Sequence, residues 1–225
     1  MSSASRSTSP VRRRRRSTTA PGLNGADAPT RLSSPVPDVS HQPPPRADGK
    51  LAVTVTSLEL APANWTRRGL APEIEVDIVR EQEPTAARYL DLYDRVGRAW
   101  LWYERRLLGE EQLAALINRP GHELHTARHG RALVGYFELY EAEIVFFGLT
   151  PEYIGRRIGP WLLDLAIERG FARGSSRLVL NTNTVDHPRA LDTYRKAGFR
   201  VVGREQKELQ DPRVLWPDIY RWPPK

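Results

Sequence analysis

The chain has 225 residues, of which 40% are hydrophobic, so it is long enough for one large domain or two small ones with a buried core. It contains no cysteine, which excludes disulfides, thiolate metal sites and an acyl-cysteine intermediate. The net charge of +7 comes almost entirely from residues 1–50, which hold nine Lys or Arg and three Asp or Glu. Because the remainder is nearly neutral, nothing predicts a nucleic-acid-binding face on the folded part.

Residues 1–48 consist mainly of Ser, Pro, Arg, Thr and Ala, without Phe, Tyr or Trp. Such a segment cannot bury enough apolar surface to offset its conformational entropy, so we predict a disordered tail before one domain at residues 49–225. The run from Arg12 to Arg16 leaves three interpretations open. It is an electrostatic arm for nucleic acid or acidic membrane, a targeting peptide, or a solvated extension without a dedicated role.

Order is predicted to begin near Leu51, where apolar residues alternate through Leu60 with the period of a half-buried strand. Thr85 is a suitable N-cap for a helix that begins at about residue 86, and the aromatic run at 100–103 is placed inside this helical region. A further short helix is predicted from Glu110 to Ile117.

Three short strands, a helix, a strand, a helix and a last strand are predicted to follow. Gly198 is the glycine expected after the end of the last helix. The predicted strands cover residues 122–127, 131–140, 142–149, 177–181 and 199–202, and the helices cover 155–171 and 188–196. This order predicts a mixed α/β (α+β) fold, with an antiparallel first half and a βαβ unit behind it.

The stretch from Phe146 to Leu163 is predicted to be a strand end, a glycine-bearing loop and a helix start. Its glycines allow the backbone to approach a ligand closely. Unpaired N–H groups at the helix start form an anion site with the helix dipole, and Arg156 and Arg157 add positive charge. The stretch is either a pyrophosphate cradle or a plain strand-to-helix turn.

A second informative stretch runs from His187 to Phe199. Ala190 and Tyr194 are one helical turn apart, so they share a face of the last predicted helix. Tyr194 is therefore either a positioned proton donor or part of the packing face of an amphipathic helix.

In this order, the two stretches resemble the GNAT superfamily of N-acetyltransferases. The cofactor motif of that superfamily, Gln/Arg-x-x-Gly-x-Gly/Ala, falls on Ile154, Arg157 and Gly159. Its later motif, Asn-x-x-Ala-x-x-x-Tyr-x-x-x-Gly-Phe, falls on His187, Ala190, Tyr194, Gly198 and Phe199. The resemblance is strongest over residues 122–203, and its surroundings are similar to a bacterial branch whose acceptors are mostly undefined.

Two positions depart from the cofactor motif. Ile154 replaces Gln or Arg, which is tolerable if the backbone N–H makes the contact. Arg157 replaces the first Gly, and a positive φ there would cost about 1–3 kcal/mol of strain. If the position has ordinary φ, the guanidinium is instead available to pair with a phosphate of coenzyme A.

The resemblance implies a GNAT-like, mostly antiparallel central sheet of six to seven strands, splayed in the middle and flanked by helices. It also implies acetyl-CoA as co-substrate, a primary-amine acceptor and no metal ion. Backbone groups of Phe147, Gly148 and Leu149 would pair with the pantetheine arm, and Asn183 either hydrogen-bonds the arm or is structural. Backbone groups that would hold the pyrophosphate belong to Ile154, Gly155, Arg156, Arg157, Ile158 and Gly159.

Direct transfer of the acetyl group needs a base for the amine and an acid for the departing thiolate. By resemblance, Tyr194 is the acid. The candidates for the base are Glu138 and Glu143, which lie directly opposite each other if Tyr140 and Glu141 form a two-residue hairpin turn. Paired carboxylates repel, which raises the pKa of one of them. The alternative is two exposed strand carboxylates that titrate normally.

Residues 89–103 either wall the acceptor pocket, as the first helices do in this superfamily, or pack in the core. No run approaches the roughly 20 apolar residues that cross a bilayer, so we expect a soluble, cytoplasmic monomer or homodimer without membrane contact. Two alternative functions remain: a non-catalytic acyl-CoA-binding regulatory domain, and a nucleic-acid-associated protein acting through Arg12 to Arg16.

Overall fold

A computed structural model describes residues 37–221, so the run from Arg12 to Arg16 lies outside the described residues. The strands are β1 (Lys50–Leu60), β2 (Asp77–Arg80), β3 (His122–His129), β4 (Ala132–Tyr140), β5 (Glu143–Leu149), β6 (Leu178–Asn183) and β7 (Arg200–Gln210). The helices are α1 (Ala86–Gly97), α2 (Glu110–Ile117), α3 (Ile158–Ala172), α4 (Ala190–Lys196) and α5 (Pro212–Leu215).

The strands form one sheet in the order β2-β3-β4-β5-β6-β1-β7. Neighbouring strands are antiparallel except β5 and β6, which are parallel. Since parallel neighbours need a crossover connection, β5, α3 and β6 form the predicted βαβ unit. The prediction of a mixed, mostly antiparallel sheet of six to seven strands with flanking helices is confirmed.

Helices bury a separate apolar cluster on each face of the sheet. On one face, α3 and α4 pack over side chains such as Leu58, Phe137 and Leu180. On the other, α1 and α2 pack over side chains such as Leu124 and Tyr136. Each such buried side chain contributes about 2 kcal/mol of transfer free energy, so the clusters fix the sheet from both sides. We call these surfaces the α3 face and the α1 face.

Several predicted helix signals are found in the structure. The Thr85 hydroxyl accepts a hydrogen bond from the Arg88 N–H at 3.2 Å and caps α1. Gly198, after α4, has a φ of +100°, and a Cβ there would lie 2.3 Å from the Asn64 carbonyl oxygen. Glycine is therefore required at this position by both backbone conformation and space.

Two helix boundaries differ from the prediction. α1 ends at Gly97, before the aromatic run, and Leu101 adopts a left-handed φ of +60° that no continuing helix allows. α3 begins at Ile158 rather than at residue 155. Gly155 and Arg157 have φ values of +88° and +60°, so the loop before the helix extends further than predicted.

The last strand is longer than predicted because its partner dictates its length. β7 was expected to end at residue 202, but it continues to Gln210 and pairs with β1 back to Lys50. Its second half is mostly exposed and polar, so it lacks the apolar alternation that signals a strand. β2 and α5, which are four residues each, were not predicted at all.

Residues 37–48, which composition assigned to the tail, include buried positions. Val39 and Gln42 are 6% and 5% exposed. The Gln42 side-chain amide donates to the carbonyl oxygens of Ala99 at 2.8 Å and Val185 at 3.0 Å. This segment therefore bridges the end of α1 and the loop after β6. Composition does not reveal such contacts, because they satisfy backbone carbonyls rather than bury a large apolar surface.

Candidate active site

β5 and β6 are paired at one position only and separate from there. Glu143 of β5 pairs with Val179 of β6, and the Val179 N–H donates to the Ala142 carbonyl at 2.9 Å. Among the described residues, no further ladder pair joins the two strands toward Leu149 and Asn183. The sheet is open between their C-terminal halves, as the predicted splay requires. We call this opening the β5–β6 gap.

A β-bulge interrupts β5 beside the gap. The register passes from the pair Glu138–Phe146 to the pair Leu139–Ile144, which leaves Val145 without a partner on β4. An extra residue of this kind reverses the alternation of the strand on its two sides. The bulge thus decides which backbone groups of the second half of β5 face β6.

Beyond the bulge, two residues present backbone groups to the β5–β6 gap. The Thr150 N–H donates to the Val134 carbonyl of β4 at 2.9 Å. Because backbone groups alternate in direction along a strand, Gly148 also faces β4, whereas Phe147 and Leu149 face the gap. Gly148 allows α1 to pack closely on β5, because a Cβ at this position would lie 2.6 Å from a methyl carbon of Val96 in α1.

Five successive N–H groups at the start of α3, from Gly155 to Gly159, donate no hydrogen bond to any residue within 37–221. The first turn of a helix carries such unpaired donors together with the positive end of the helix dipole, an arrangement that suits an anion. Ile154 is different, because its N–H donates to the Pro151 carbonyl at 3.3 Å. The Ile154 amide is therefore not available to a ligand. A backbone contact from this residue does not replace the Gln or Arg of the cofactor motif.

The two arginines of this loop have different surroundings. Arg157 is exposed and takes the left-handed conformation, so the strain considered for this position is present. Arg156 is half-buried, and its guanidinium carbon lies 5.5 Å from the centre of the Tyr153 ring. Both positive charges stand beside the unpaired amides and add to their attraction for an anion.

Tyr194 lies on α4 at the α3 face of the β5–β6 gap. Tyr194 is 7% exposed, and the centre of its ring lies 6.1 Å from the centre of the Phe147 ring in an edge-on contact. Burial, and secondarily the charge of Asp186, raise the pKa of the Tyr194 hydroxyl. The hydroxyl therefore stays protonated at neutral pH, and it donates no hydrogen bond to any of the residues the structure describes.

Glu138 is fully buried on the α1 face. Its carboxylate accepts hydrogen bonds from the Tyr89 hydroxyl at 2.5 Å, Arg105 Nη2 at 2.8 Å and His122 Nε2 at 2.8 Å. Burial alone would raise the pKa of Glu138, but the His122 hydrogen bond and the Arg105 charge outweigh it, so the pKa is lowered. Its carboxylate is therefore held ionised and fully engaged with these three partners.

Glu138 and Glu143 do not face each other directly, which corrects the prediction. The turn consists of Glu141 and Ala142, so Glu143 pairs with Tyr140, and the bulge places Phe146 opposite Glu138. The predicted turn began one residue too early, and the bulge was not foreseen. Cross-strand partners share a face, so both carboxylates still lie on the α1 face.

Glu143 is half-buried where β5 and β6 still touch. Burial raises its pKa, and so does the negative charge of Glu138. The positive charges of Arg105 and Arg119 oppose this shift without reversing it. Of the two candidate bases, Glu143 is thus the one whose pKa is raised, and it lies beside the apex of the gap.

Trp102 connects α1 to the loop after β6. Its ring packs against Phe146 at 4.9 Å, and its indole N–H donates to Asp186 Oδ1 at 3.0 Å. A Cβ on Gly97 would lie only 2.2 Å from the Trp102 ring, so the indole rests directly on that glycine. The aromatic run therefore packs in the core and also spans the α1 side of the gap.

Asn183 is the last residue of β6 rather than a residue beyond its end. Its side-chain oxygen accepts the Val185 N–H at 2.9 Å, and its own N–H donates to Asp186 Oδ2 at 2.8 Å. These contacts make it part of the turn after the strand. Within the described range, its side-chain NH₂ group donates no hydrogen bond.

Sequence reasoning missed two residues of this region, Arg105 and Arg119, whereas Trp102 lies within the segment 89–103 that was predicted to wall the pocket or pack in the core. Arg105 and Arg119 are two of many arginines, and no motif distinguishes them. Between residues 37 and 221, no three His, Asp or Glu side chains are arranged to hold a metal ion, and no helix is long and apolar enough to cross a membrane.

A mixed sheet that opens between two parallel strands, with unpaired amides at the following helix, defines the class of GNAT-fold proteins. The model of the acetyltransferase (GNAT) family matches residues 83–199, which is more than half of the chain. The chain therefore belongs to the GNAT acetyltransferase family. Comparison with curated proteins gave no significant match.

Solved structures share the fold at low identity. A functionally unknown conserved protein from Staphylococcus epidermidis gives a TM-score of 0.52 at 17% identity, over 72% of this chain and 63% of that one. A Drosophila melanogaster protein gives a TM-score of 0.51 at 15% identity, over 70% of this chain and 50% of that one. A GCN5-related N-acetyltransferase from Sphaerobacter thermophilus gives a TM-score of 0.48 at 18% identity, over 76% of this chain and 54% of that one. The chain thus spans between half and two thirds of the length of these proteins.

Proposed function

We propose that the protein transfers an acetyl group from acetyl-CoA to a primary amine. The observation that carries this proposal is that the β5–β6 gap and the five unpaired amides from Gly155 to Gly159 adjoin each other. The amides fit the diphosphate of the nucleotide. The gap fits the extended pantetheine arm, which would pair with backbone groups of Phe147 and Leu149 as an added strand does.

The two faces of the sheet then supply opposite proton-transfer groups. The amine nitrogen would attack the thioester carbonyl carbon, and the carbon–sulfur bond would break to release coenzyme A. Tyr194, from the α3 face, would give its proton to the departing thiolate. Backbone N–H groups of β5 beside the gap would stabilise the negative charge on the carbonyl oxygen.

Glu143 is the better candidate for the base that takes the proton of the amine. Its raised pKa makes its carboxylate a stronger base than an ordinary glutamate, which suits a proton acceptor. Glu138, with three hydrogen-bond partners and no exposure, would instead position Arg105. The proposed catalytic domain, residues 49–225, includes this machinery, and residues 37–48 pack on it.

A thiol-release assay tests the proposal. Purified protein and acetyl-CoA are incubated with a panel of primary amines, comprising metabolites and aminoglycosides, and free coenzyme A is measured. Amine-dependent release that Glu143→Gln reduces by about tenfold or more is expected. Calorimetric binding of acetyl-CoA without release for any amine would contradict it and identify a non-catalytic acyl-CoA-binding domain.

A further inference from the structure

Arg119 is a half-buried positive charge without an anionic partner. It lies in the turn between α2 and β3, with its guanidinium carbon 3.2 Å from the centre of the Tyr140 ring. Its Nε atom is buried and makes no hydrogen bond, and no carboxylate in the described part of the chain lies within ion-pair distance. Stacking on Tyr140 thus holds the guanidinium in place, while its Nη1 and Nη2 groups have no acceptor among residues 37–221 and can meet a negative group from outside the protein.

Arg119 stands next to the proposed base. Tyr140, on which it stacks, is the cross-strand partner of Glu143, so the two side chains lie on the α1 face together. The Arg119 charge acts on Glu143 electrostatically without forming an ion pair with it. A carboxylate and an unpaired guanidinium thus stand side by side on the face opposite Tyr194.

A second guanidinium is fixed on the same face. Arg105 is held by the Tyr89 hydroxyl at 3.1 Å and by Glu138 at 2.8 Å, and it lies 5.0 Å from the centre of the Phe146 ring. These bonds use Nε and Nη2, while Nη1 has no acceptor among residues 37–221. The side chain is therefore pre-oriented, and its Nη1 donors are left over for a ligand.

The sheet surface beyond Glu143 is polar. The Ser57 hydroxyl of β1 donates to the side-chain oxygen of Asn181 of β6 at 2.8 Å, and Asn181 is exposed. On this part of the α1 face, an acceptor would therefore meet hydrogen-bonding groups and charges rather than an apolar pocket.

From this arrangement we infer that the acceptor carries an acid group close to its reacting amine, as a zwitterionic amino acid does. The carboxylate would bind Arg119, with Arg105 as an additional donor, while the ammonium group meets Glu143. The positive Arg119 and the negative Glu143 then each meet the opposite charge of the zwitterionic acceptor. A simple amine would leave Arg119 unpaired, so the inference concerns the substrate class of the proposed acetyltransferase and rests on that function.

The test compares matched acceptors. Phenylalanine, methionine and glutamate are each assayed against their α-carboxamides, with acetyl-CoA and at equal concentrations of the unprotonated amine. In the wild type, kcat/KM is expected to be at least about tenfold higher for the acids, because a hydrogen-bonded charge pair is lost in the amides. Arg119→Met, which keeps an apolar stem on Tyr140, is expected to abolish this preference by slowing the acids alone.

Arg173→Met is the matched control. Arg173 is also half-buried with one buried guanidinium nitrogen, Nη1, unpaired, but it follows α3 as its C-cap residue on the opposite face, where Nε faces Glu123 and Nη2 donates to the Gly121 carbonyl. The Arg173→Met variant is expected to retain the preference for acids over carboxamides. Equal rates for acids and carboxamides in the wild type, or an equal loss for both in Arg119→Met, would overturn the inference while leaving the acetyltransferase intact. Should Arg119→Met fail to fold, the wild-type comparison still decides. Turnover of other amines in the thiol-release panel without turnover of these acids would also overturn the inference, whereas no turnover of any amine in that panel would reject the proposed function itself.

Discussion

Phe147 and Tyr194 place their rings 6.1 Å apart, edge to face, on the α3 side of the β5–β6 gap. The contact joins β5, which precedes the cofactor motif, to α4, which carries the later motif. In the proposed reaction, this contact would position the Tyr194 ring as the proton donor beside the gap.

Tyr194→Phe is expected to lower kcat by at least about tenfold, because the proton for the thiolate is lost. Calorimetric affinity for acetyl-CoA and the melting temperature are expected to change little, since the ring and its contact with Phe147 remain. Wild-type kcat in this variant would remove Tyr194 from the mechanism.

Arg157→Gly is expected to raise the free energy of unfolding by up to about 1 kcal/mol. Glycine adopts a φ of +60° without the strain that arginine bears there, but its greater freedom in the unfolded chain offsets part of that gain. Arg157→Ala keeps the strain and serves as the control in denaturant unfolding. A glycine variant no more stable than the alanine variant would contradict the argument. If both weaken acetyl-CoA binding alike, the lost guanidinium is the cause.

Gly97→Ala is expected to destabilise the protein by about 1–3 kcal/mol, because the new methyl group would overlap the Trp102 ring. Tryptophan emission should shift as the indole moves away from Asp186. At Gly109, the nearest atom to an added Cβ is 3.9 Å away, so Gly109→Ala is the control. Equal stability of the two variants would show that the indole does not rest on Gly97.

The hydrogen-bonded Glu123 carboxylate is expected to make the stability of the protein depend on pH. Burial would raise its pKa, but hydrogen bonds from Arg169 and His125 lower it to about 2. Since the folded pKa lies below the ordinary value of 4.5, this stabilisation is present above pH 4.5 and is lost as pH falls toward 2. Glu123→Gln should flatten the acid branch of a stability profile, whereas exposed Glu168→Gln should not. An unchanged slope in Glu123→Gln would refute this.

Local signals in the sequence predicted much of the fold. The Thr85 cap, the Gly198 terminator and the order of the two motifs were sufficient to predict α1, α4 and the βαβ unit. The hairpin turn was placed one residue too early, which moved Glu143 from Glu138 to Tyr140. The bulge at Val145, which no local signal marks, then moved the partner of Glu138 to Phe146.

The candidate site was predicted unevenly for a similar reason. Glycines and a helix start locate the anion site through local chemistry, whereas Arg105 and Arg119 reach the α1 face only through tertiary packing. Their role depends on what lies beside them, and a single sequence with many arginines does not specify that.

In the proposed function, the unpaired amides and the open sheet bind a nucleotide thioester. Amide resonances of the full chain, assigned by NMR and followed during titration with coenzyme A, test it directly. The largest shift changes are expected at Gly155 to Gly159 and at Phe147 and Leu149, with little effect on β2 or β7. Saturable binding that leaves these amides unchanged, or no binding at all, would contradict the account.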